Sequence, residues 1–248
     1  MTATIRLCHL YPREMNIYAD RGNIAVFRRR SQWRDIALEV VEAGPGDPID
    51  PGAHDLFYLG GGQDRDQAAV AEDLVATKAD ALRSAFADGA VGFFVCGGIQ
   101  LAGHRYVAVD GSTMTGIGVL DLETRAEPDR LIGDVVAEAT LNGETETVVG
   151  YENHAGRTEL GAGAEPFARV ITGHGNNGAD GTEGAVSGRV LGTYLHGPLL
   201  PRNPWLADTL LGWALQHGTG ETVHLTALDD DLEQRAREVA RRRAGVRR

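Results

Sequence analysis

The sequence predicts an α/β fold, a mostly parallel sheet with helices on both faces. Three observations lead there. Short apolar runs at residues 5–10, 36–41, 55–59 and 90–95 have the length and composition of buried strands. Stretches with helical spacing separate them. The plainest is 67–87, where Ala71, Leu74, Val75, Leu82 and Phe86 recur at threes and fours. Two of the runs end in glycine turns, Gly60-Gly61-Gly62 and Cys96-Gly97-Gly98. In open sheets of this kind the ligand sits at the carboxyl ends of the strands, and both turns fall there.

The elements follow in order. After the first strand, residues 11–23 lead into a helix from about 24 to 32. From residue 116 the pattern changes to short strands between Gly-rich turns, at 116–122, 130–140, 147–151, 169–172 and 185–194. The stretch 173–184 reads as an exposed loop or hairpin tip, because glycine, asparagine and aspartate dominate it. Asn203-Pro204 starts a helix over 206–217. The charged, Arg-rich stretch 229–248 reads as a solvated helix with a frayed tail. No linker is long enough to split the chain. Residues 1–204 form the core, and 205–248 add helices to the same domain.

Bulk properties exclude several functions. A chain of 248 residues with 42% hydrophobic and 24% charged side chains can build a sizeable core. A formal net charge of −11 argues against a nucleic-acid surface. Two cysteines, Cys8 and Cys96, make no disulfide framework and suit a reducing cytoplasm. No signal peptide and no apolar run long enough to span a membrane is expected. The one lysine, Lys78, follows Leu-Val-Ala-Thr rather than a Gly-rich turn, so no Walker A loop is present. No group of Cys, His and carboxylates has metal-ligand spacing.

Cys96 is the first candidate for chemistry. A strand, a Gly-rich turn and a helix would lift its sulfur out of the sheet beside a helix N-terminus, which favours the nucleophilic thiolate. The glycines leave backbone N–H groups to face a developing oxyanion. A thiol nucleophile needs a base, and His196 also follows an apolar run, Val190-Leu-Gly-Thr-Tyr-Leu195. Cys8 lies inside a strand with no such turn behind it and reads as a small buried hydrophobe.

Longer motifs carry a resemblance. Cys96-Gly-Gly-Ile-Gln-Leu-Ala-Gly103, the segment 150–158 (Gly-Tyr-Glu-Asn-His-Ala-Gly-Arg-Thr) and the segment 192–204 (Gly-Thr-Tyr-Leu-His-Gly-Pro-Leu-Leu-Pro-Arg-Asn-Pro) resemble class I glutamine amidotransferases of the cobyric acid synthase type. Residues 10–23 and 58–67 narrow the likeness to the glutaminase subunits (GatD type) of lipid II isoglutaminyl synthases. The resemblance runs from about residue 5 to 204 and implies a flavodoxin-like sheet.

It also implies a reaction. Cys96 attacks the side-chain amide of L-glutamine, releases ammonia, and leaves a glutamyl thioester for water to hydrolyse. The oxyanion would lie between the N–H of Gly97 and one from the Gly60–Gly62 loop, so Gly61 and Gly62 are expected at the substrate. Arg130 stands where the subfamily is expected to bind the α-carboxylate. The bland alternative for Arg130 is a surface charge at a strand edge. Gln100 could touch the substrate or cap the turn. Most class I enzymes carry a carboxylate two residues after the base, and here that position is Pro198. Asp20 is the candidate to orient His196, with Glu152 as competitor, and a Cys–His dyad is the remaining option. The resemblance implies no cofactor in this chain. It implies a Mur-ligase-like (MurT type) partner that binds ATP and amidates D-Glu of the lipid II stem peptide. Alternatives are another acceptor such as a corrinoid-pathway acid, a non-catalytic interaction subunit, or a hydrolase of γ-glutamyl peptides.

Overall fold

A computed structural model of the chain describes residues 3–17 and 21–246. Its centre is a six-stranded sheet in the order β11-β12-β4-β3-β1-β2. Strands β1 (Thr4–Leu10), β2 (Ala37–Ala43), β3 (Leu56–Leu59), β4 (Val91–Val95) and β12 (Val190–Thr193) run parallel, and β11 (Ala185–Ser187) closes one edge antiparallel. Alternate side chains feed two cores. Ile5, Leu7, Tyr58 and Phe93 pack against helices α1 (Arg21–Gln32) and α5 (Pro204–Thr219). Cys8, Leu10, Phe57 and Phe94 pack on the other face beneath α2 (Asp64–Asp73), α3 (Ala79–Ala87) and α4 (Gly97–Ala102). Both faces of β3 and β4 are therefore apolar, as a covered parallel sheet requires.

The helix expected at 67–87 is two helices joined by a π-helical turn, Leu74–Lys78. Lys78 is buried there: its Nζ donates to Asp73 at 2.8 Å and lies 4.7 Å from the centre of the Tyr11 ring. The extra residue of the π turn accommodates this inward-pointing charge.

A second sheet has the order β10-β9-β7-β5-β6, with β8 paired to β7. Its main feature is the hairpin of β7 (Leu122–Leu141) and β8 (Glu144–Leu160), turned by Asn142-Gly143 with φ of 54° and 81°. Two positive φ angles suit an Asn-Gly turn and match the twist of the strands. The sequence marks only the turn-side parts, 130–140 and 147–151, because the far ends alternate with polar and charged residues. Strands β5 (Arg105–Val107), β6 (Thr113–Thr115), β9 (Ala168–Thr172) and β10 (Thr182–Glu183) complete the sheet.

Two expectations are corrected. Residues 116–121 are irregular rather than a strand: the N–H groups of Ile117, Val119 and Leu120 bond the carbonyls of Leu101 and Ala102 at the end of α4. The strand expected at 185–194 is the hairpin β11–β12, turned at Gly188-Arg189 with Gly188 at φ 57°. Apolar residues on both sides of that short turn hide it. Helix α6 (Asp231–Arg243) buries no residue, in keeping with a solvated helix. No helix among the described residues is long and apolar enough to cross a membrane.

Candidate active site

Cys96 stands at the turn between β4 and α4 with φ 54° and ψ −109°. Such a conformation is costly for a residue with a side chain, by about 1–3 kcal/mol, and the surroundings must hold it. They do so through close backbone contact. An ideal Cβ on Gly98 would stand 2.5 Å from the carbonyl oxygen of Leu59, so α4 can begin here only because residue 98 is glycine. The N–H of Cys96 donates to the carbonyl of Thr193 at 2.8 Å.

That bond ties the cysteine to the histidine strand. Val95 pairs with Thr193, so Cys96 lies one residue beyond the pair on one strand and His196 three beyond it on the next. The two side chains share one end of the sheet. The His196 backbone is pinned from the second sheet: its N–H donates to the Tyr151 carbonyl at 2.9 Å, and the Tyr151 N–H donates to its carbonyl at 3.2 Å. His196 is fully buried. Burial, helped by the charges of His154 and Arg130, lowers its pKa to about 4. The ring is therefore neutral at pH 7, the state a proton acceptor needs.

The two glycine turns converge. An ideal Cβ on Gly97 would lie 3.2 Å from the backbone nitrogen of Gly62 and 2.8 Å from Oε1 of Gln67. The 60–62 loop and the residue after Cys96 are therefore in close contact at the carboxyl ends of β3 and β4.

A buried polar chain runs behind this spot. Gln67 Nε2 donates to Gln100 Oε1 at 2.8 Å, and Gln100 Nε2 donates to the Tyr194 hydroxyl at 3.3 Å. Tyr194 and Thr158 share a hydrogen bond of 2.6 Å, and Thr158 and Thr124 one of 2.7 Å. The His154 ring stacks on Tyr194 with centroids 3.7 Å apart. Glu183 is also fully buried: its carboxylate accepts the Tyr194 N–H at 2.7 Å and the Thr193 hydroxyl at 3.0 Å. Burial pushes its pKa up to about 8, and the nearby Glu152 adds to the rise.

Comparison with known proteins decides the family. Residues 6–204 match the CobB/CobQ-like glutamine amidotransferase domain. The chain belongs to that family. Over 235 residues it is 38% identical to "Lipid II isoglutaminyl synthase (glutamine-hydrolyzing) subunit GatD" of Staphylococcus aureus, covering 95% of this chain and 94% of the relative. The protein of the same description from Streptococcus pneumoniae is 36% identical, covering 93% and 88%. A cobyric acid synthase of Rhodobacter capsulatus is 39% identical over 56% of this chain but only 29% of its own length. Among solved structures, PurLQS from Thermotoga maritima shares the fold at a TM-score of 0.56 and 18% identity, covering 87% of this chain and 96% of that one.

Within this glutamine amidotransferase the sequence candidates occupy distinct places. Cys96, His196, Gly61, Gly62 and Gly97 come to the same end of the sheet. Arg130 is exposed and donates from Nε to the Asn153 side chain and from a terminal nitrogen to the Asn153 carbonyl, both at 2.7 Å. Gln100 is buried, with both ends of its amide engaged by Gln67 and Tyr194. Asp20 lies outside the described residues. Glu152 has another task, since its two oxygens accept the N–H groups of His174 and Gly175 at 2.7 and 2.8 Å. Those bonds anchor the 173–184 segment, which is better ordered than its composition suggests: Asn176 is buried and bonds Thr182 and Gly184.

Sequence reasoning missed Gln67, Tyr194 and Glu183 as parts of the site. Gln67 and Tyr194 sit inside the motifs that carry the resemblance, which was their available signal. Glu183 lay in what read as a polar loop and gave none. No group of three or more metal-ligating side chains occurs among the described residues.

Proposed function

We propose that this chain is the glutaminase subunit of a two-protein amidotransferase in peptidoglycan synthesis. In this reading Cys96 attacks the side-chain carbonyl carbon of L-glutamine, and His196 takes the thiol proton. The tetrahedral oxyanion is met by the backbone N–H groups of Gly97 and of the Gly61–Gly62 turn. As the intermediate collapses, His196 returns the proton to the leaving nitrogen, ammonia departs, and a glutamyl thioester remains on Cys96. Water, deprotonated by His196, then releases glutamate and restores the thiol. Arg130 binds the α-carboxylate as a two-pronged donor, while Gln100 supports the wall of the pocket. Asp20 is proposed to orient His196. An ideal Cβ on Gly22 would lie 2.5 Å from Pro198, two residues past the base, so the start of α1 packs against the histidine turn.

One observation carries the proposal: the strained Cys96 turn is hydrogen-bonded to the strand that delivers His196, in a chain of the glutamine amidotransferase family. The acceptor is proposed from relatives covered nearly end to end, both described as the glutamine-hydrolysing subunit of lipid II isoglutaminyl synthase. The match to cobyric acid synthase reaches under a third of that protein's length, which favours the subunit reading over a corrinoid acceptor. The partner is then a Mur-ligase-like synthetase that binds ATP in the cytoplasm and directs the ammonia to D-Glu of the lipid II stem peptide, giving D-isoglutamine.

The test is glutamate release by the purified chain, alone and with a Mur-ligase-like synthetase from the same organism. Wild type with its partner should release glutamate and amidate lipid II, and Cys96→Ala should release none. Full activity in Cys96→Ala removes the mechanism. Amidation of a corrinoid acid instead of lipid II changes the acceptor.

A further inference from the structure

The two arms of the oxyanion site belong to different elements. Gly62 ends the loop that leads into α2, whereas Gly97 begins α4. The β3–β4 pairing and the contact of Gly98 with the Leu59 and Gly60 carbonyls bring the two arms together, but an oxyanion site works only if both donors stand near 3 Å from one point before the charge develops. One side chain spans the gap. Gln67 lies one turn into α2, is 2% exposed, and reaches across to Gln100 on α4. On the way its Oε1 passes within 2.8 Å of the place a Cβ on Gly97 would occupy. Gln100 is bonded in turn to Tyr194, two residues before His196.

We propose that Gln67 is a positioning residue that sets the distance between the two arms of the oxyanion site. It touches neither substrate nor the reacting atoms. It acts through Gly97 and Gln100, so its effect falls on the transition state and not on glutamine binding. The inference rests on the glutaminase reading above, and its test separates the two.

The variants are Gln67→Met, which keeps length and volume without the hydrogen bond, and Gln67→Glu, which keeps the shape but puts a carboxylate beside Gly97. Each is measured in the complex with the synthetase for glutamine kcat and KM, for inhibition by the γ-semialdehyde of glutamate, and for inhibition by glutamate. The aldehyde forms a tetrahedral thiohemiacetal on Cys96 and so probes the oxyanion site; glutamate probes ground-state binding alone. Gln67→Met should lose about 10–100-fold in kcat. Its aldehyde inhibition should weaken by the same factor, with KM and glutamate inhibition within about 3-fold of wild type. Gln67→Glu should lose at least as much in kcat, because its buried charge faces the developing oxyanion, and a fully active Glu variant also overturns the proposal. A packing role alone predicts that Met is well tolerated, so an active Met variant overturns the proposal. Loss of KM and glutamate binding in step with kcat also overturns it, because the pocket as a whole would then have collapsed. Should Gln67→Met fail to fold, Gln67→Leu removes the same bond with a smaller side chain and must show the same pattern. A wild-type complex that neither hydrolyses glutamine nor binds the aldehyde defeats the glutaminase reading itself.

Discussion

Cys8 and Cys96 belong to the same sheet and differ in everything that governs reactivity. Cys8 sits within β1, with Val41 and Phe57 opposite it on the neighbouring strands. It is fully buried in regular extended backbone, and burial pushes its thiol up to about 12. Cys96 stands one residue past the end of β4, in a strained turn, with 6% exposure and with α4 starting at the next residue. The same side chain is a small hydrophobe in one place and a candidate nucleophile in the other. What changes is position along the strand, because only the strand end offers a turn, a helix start and open space for a substrate.

The largest expected effect tests that contrast directly. Cys96→Ala should reduce glutamine turnover by at least about 1,000-fold, since no other thiol can form the thioester. Cys8→Ala should leave turnover within about 2-fold and cost about 1 kcal/mol of stability, the price of a small cavity. Alkylation with iodoacetamide followed by mass spectrometry should mark Cys96 well before Cys8 in the folded protein. Equal labelling at the two positions would break the comparison.

Next in size is the base. His196→Asn should lower kcat by about 100–10,000-fold. With its pKa near 4, the wild-type ring is already neutral at pH 5–6, so kcat/KM should hold up there and fall only as the pH approaches 4. An acid limb centred at the ordinary histidine value of 6.5 would show that substrate or partner overrides the burial. Gly98→Ala is smaller in kind but bears on the same turn. Its Cβ would press on the Leu59 carbonyl, and unlike a side-chain tip that atom cannot move aside. A stability loss of about 1–3 kcal/mol, read by urea unfolding, is expected. The reverse change in the strand beside Cys8, Ala43→Gly opposite Leu10, should cost about 1 kcal/mol or less.

How much of this was legible follows from what the sequence displays. The strand–Cys–Gly-Gly pattern and the apolar run before His196 are local, and each predicts its own strand end correctly. The sheet and its two covered faces follow from apolar runs of strand length. The long β7–β8 hairpin was legible only in the half next to its turn, where Val135–Ala137 and Val148-Val149 are buried; in the far half of β8 the buried residues are polar, Glu152, His154 and Thr158, and the apolar signal is lost. The least legible parts are those whose partners lie far away in sequence. Gln100 meets Tyr194 across 94 positions, and no spacing rule reaches that far. Glu183 looked like one acidic residue among many in a polar stretch. Only the fold reveals that β10 turns it inward, onto Thr193 and Tyr194.

Glu183 gives the smallest prediction and sharpens the comparison between the two cysteine neighbourhoods. The polar group near Cys8 is a matched set, Lys78 with Asp73, and Asp73 with Tyr11. The group beneath the Cys96 turn is an acid with no cation bonded to it among the described residues, held by one N–H and one hydroxyl. Its folded pKa is raised from 4.5 to about 8, so the folded state binds more protons than the unfolded chain between those values. Its contribution to stability therefore declines as pH rises through that window and levels off above about 8. His9 and His196 act in the opposite sense. Burial lowers both from 6.5 to about 4, so the unfolded chain binds more protons between those values, and stability rises with pH until about 6.5. Above 6.5 the Glu183 slope is the one of these three that remains. Gln in its place copies the protonated acid: an amide N–H can donate to the Thr193 oxygen while the carbonyl accepts from Tyr194. Glu183→Gln should therefore gain about 1–2 kcal/mol on wild type between pH 6.5 and pH 8 in urea unfolding. Parallel curves for the two proteins would mean that Glu183 is ionised throughout, and that the turn carrying Thr193 and Tyr194 rests on a charge rather than on a neutral acid.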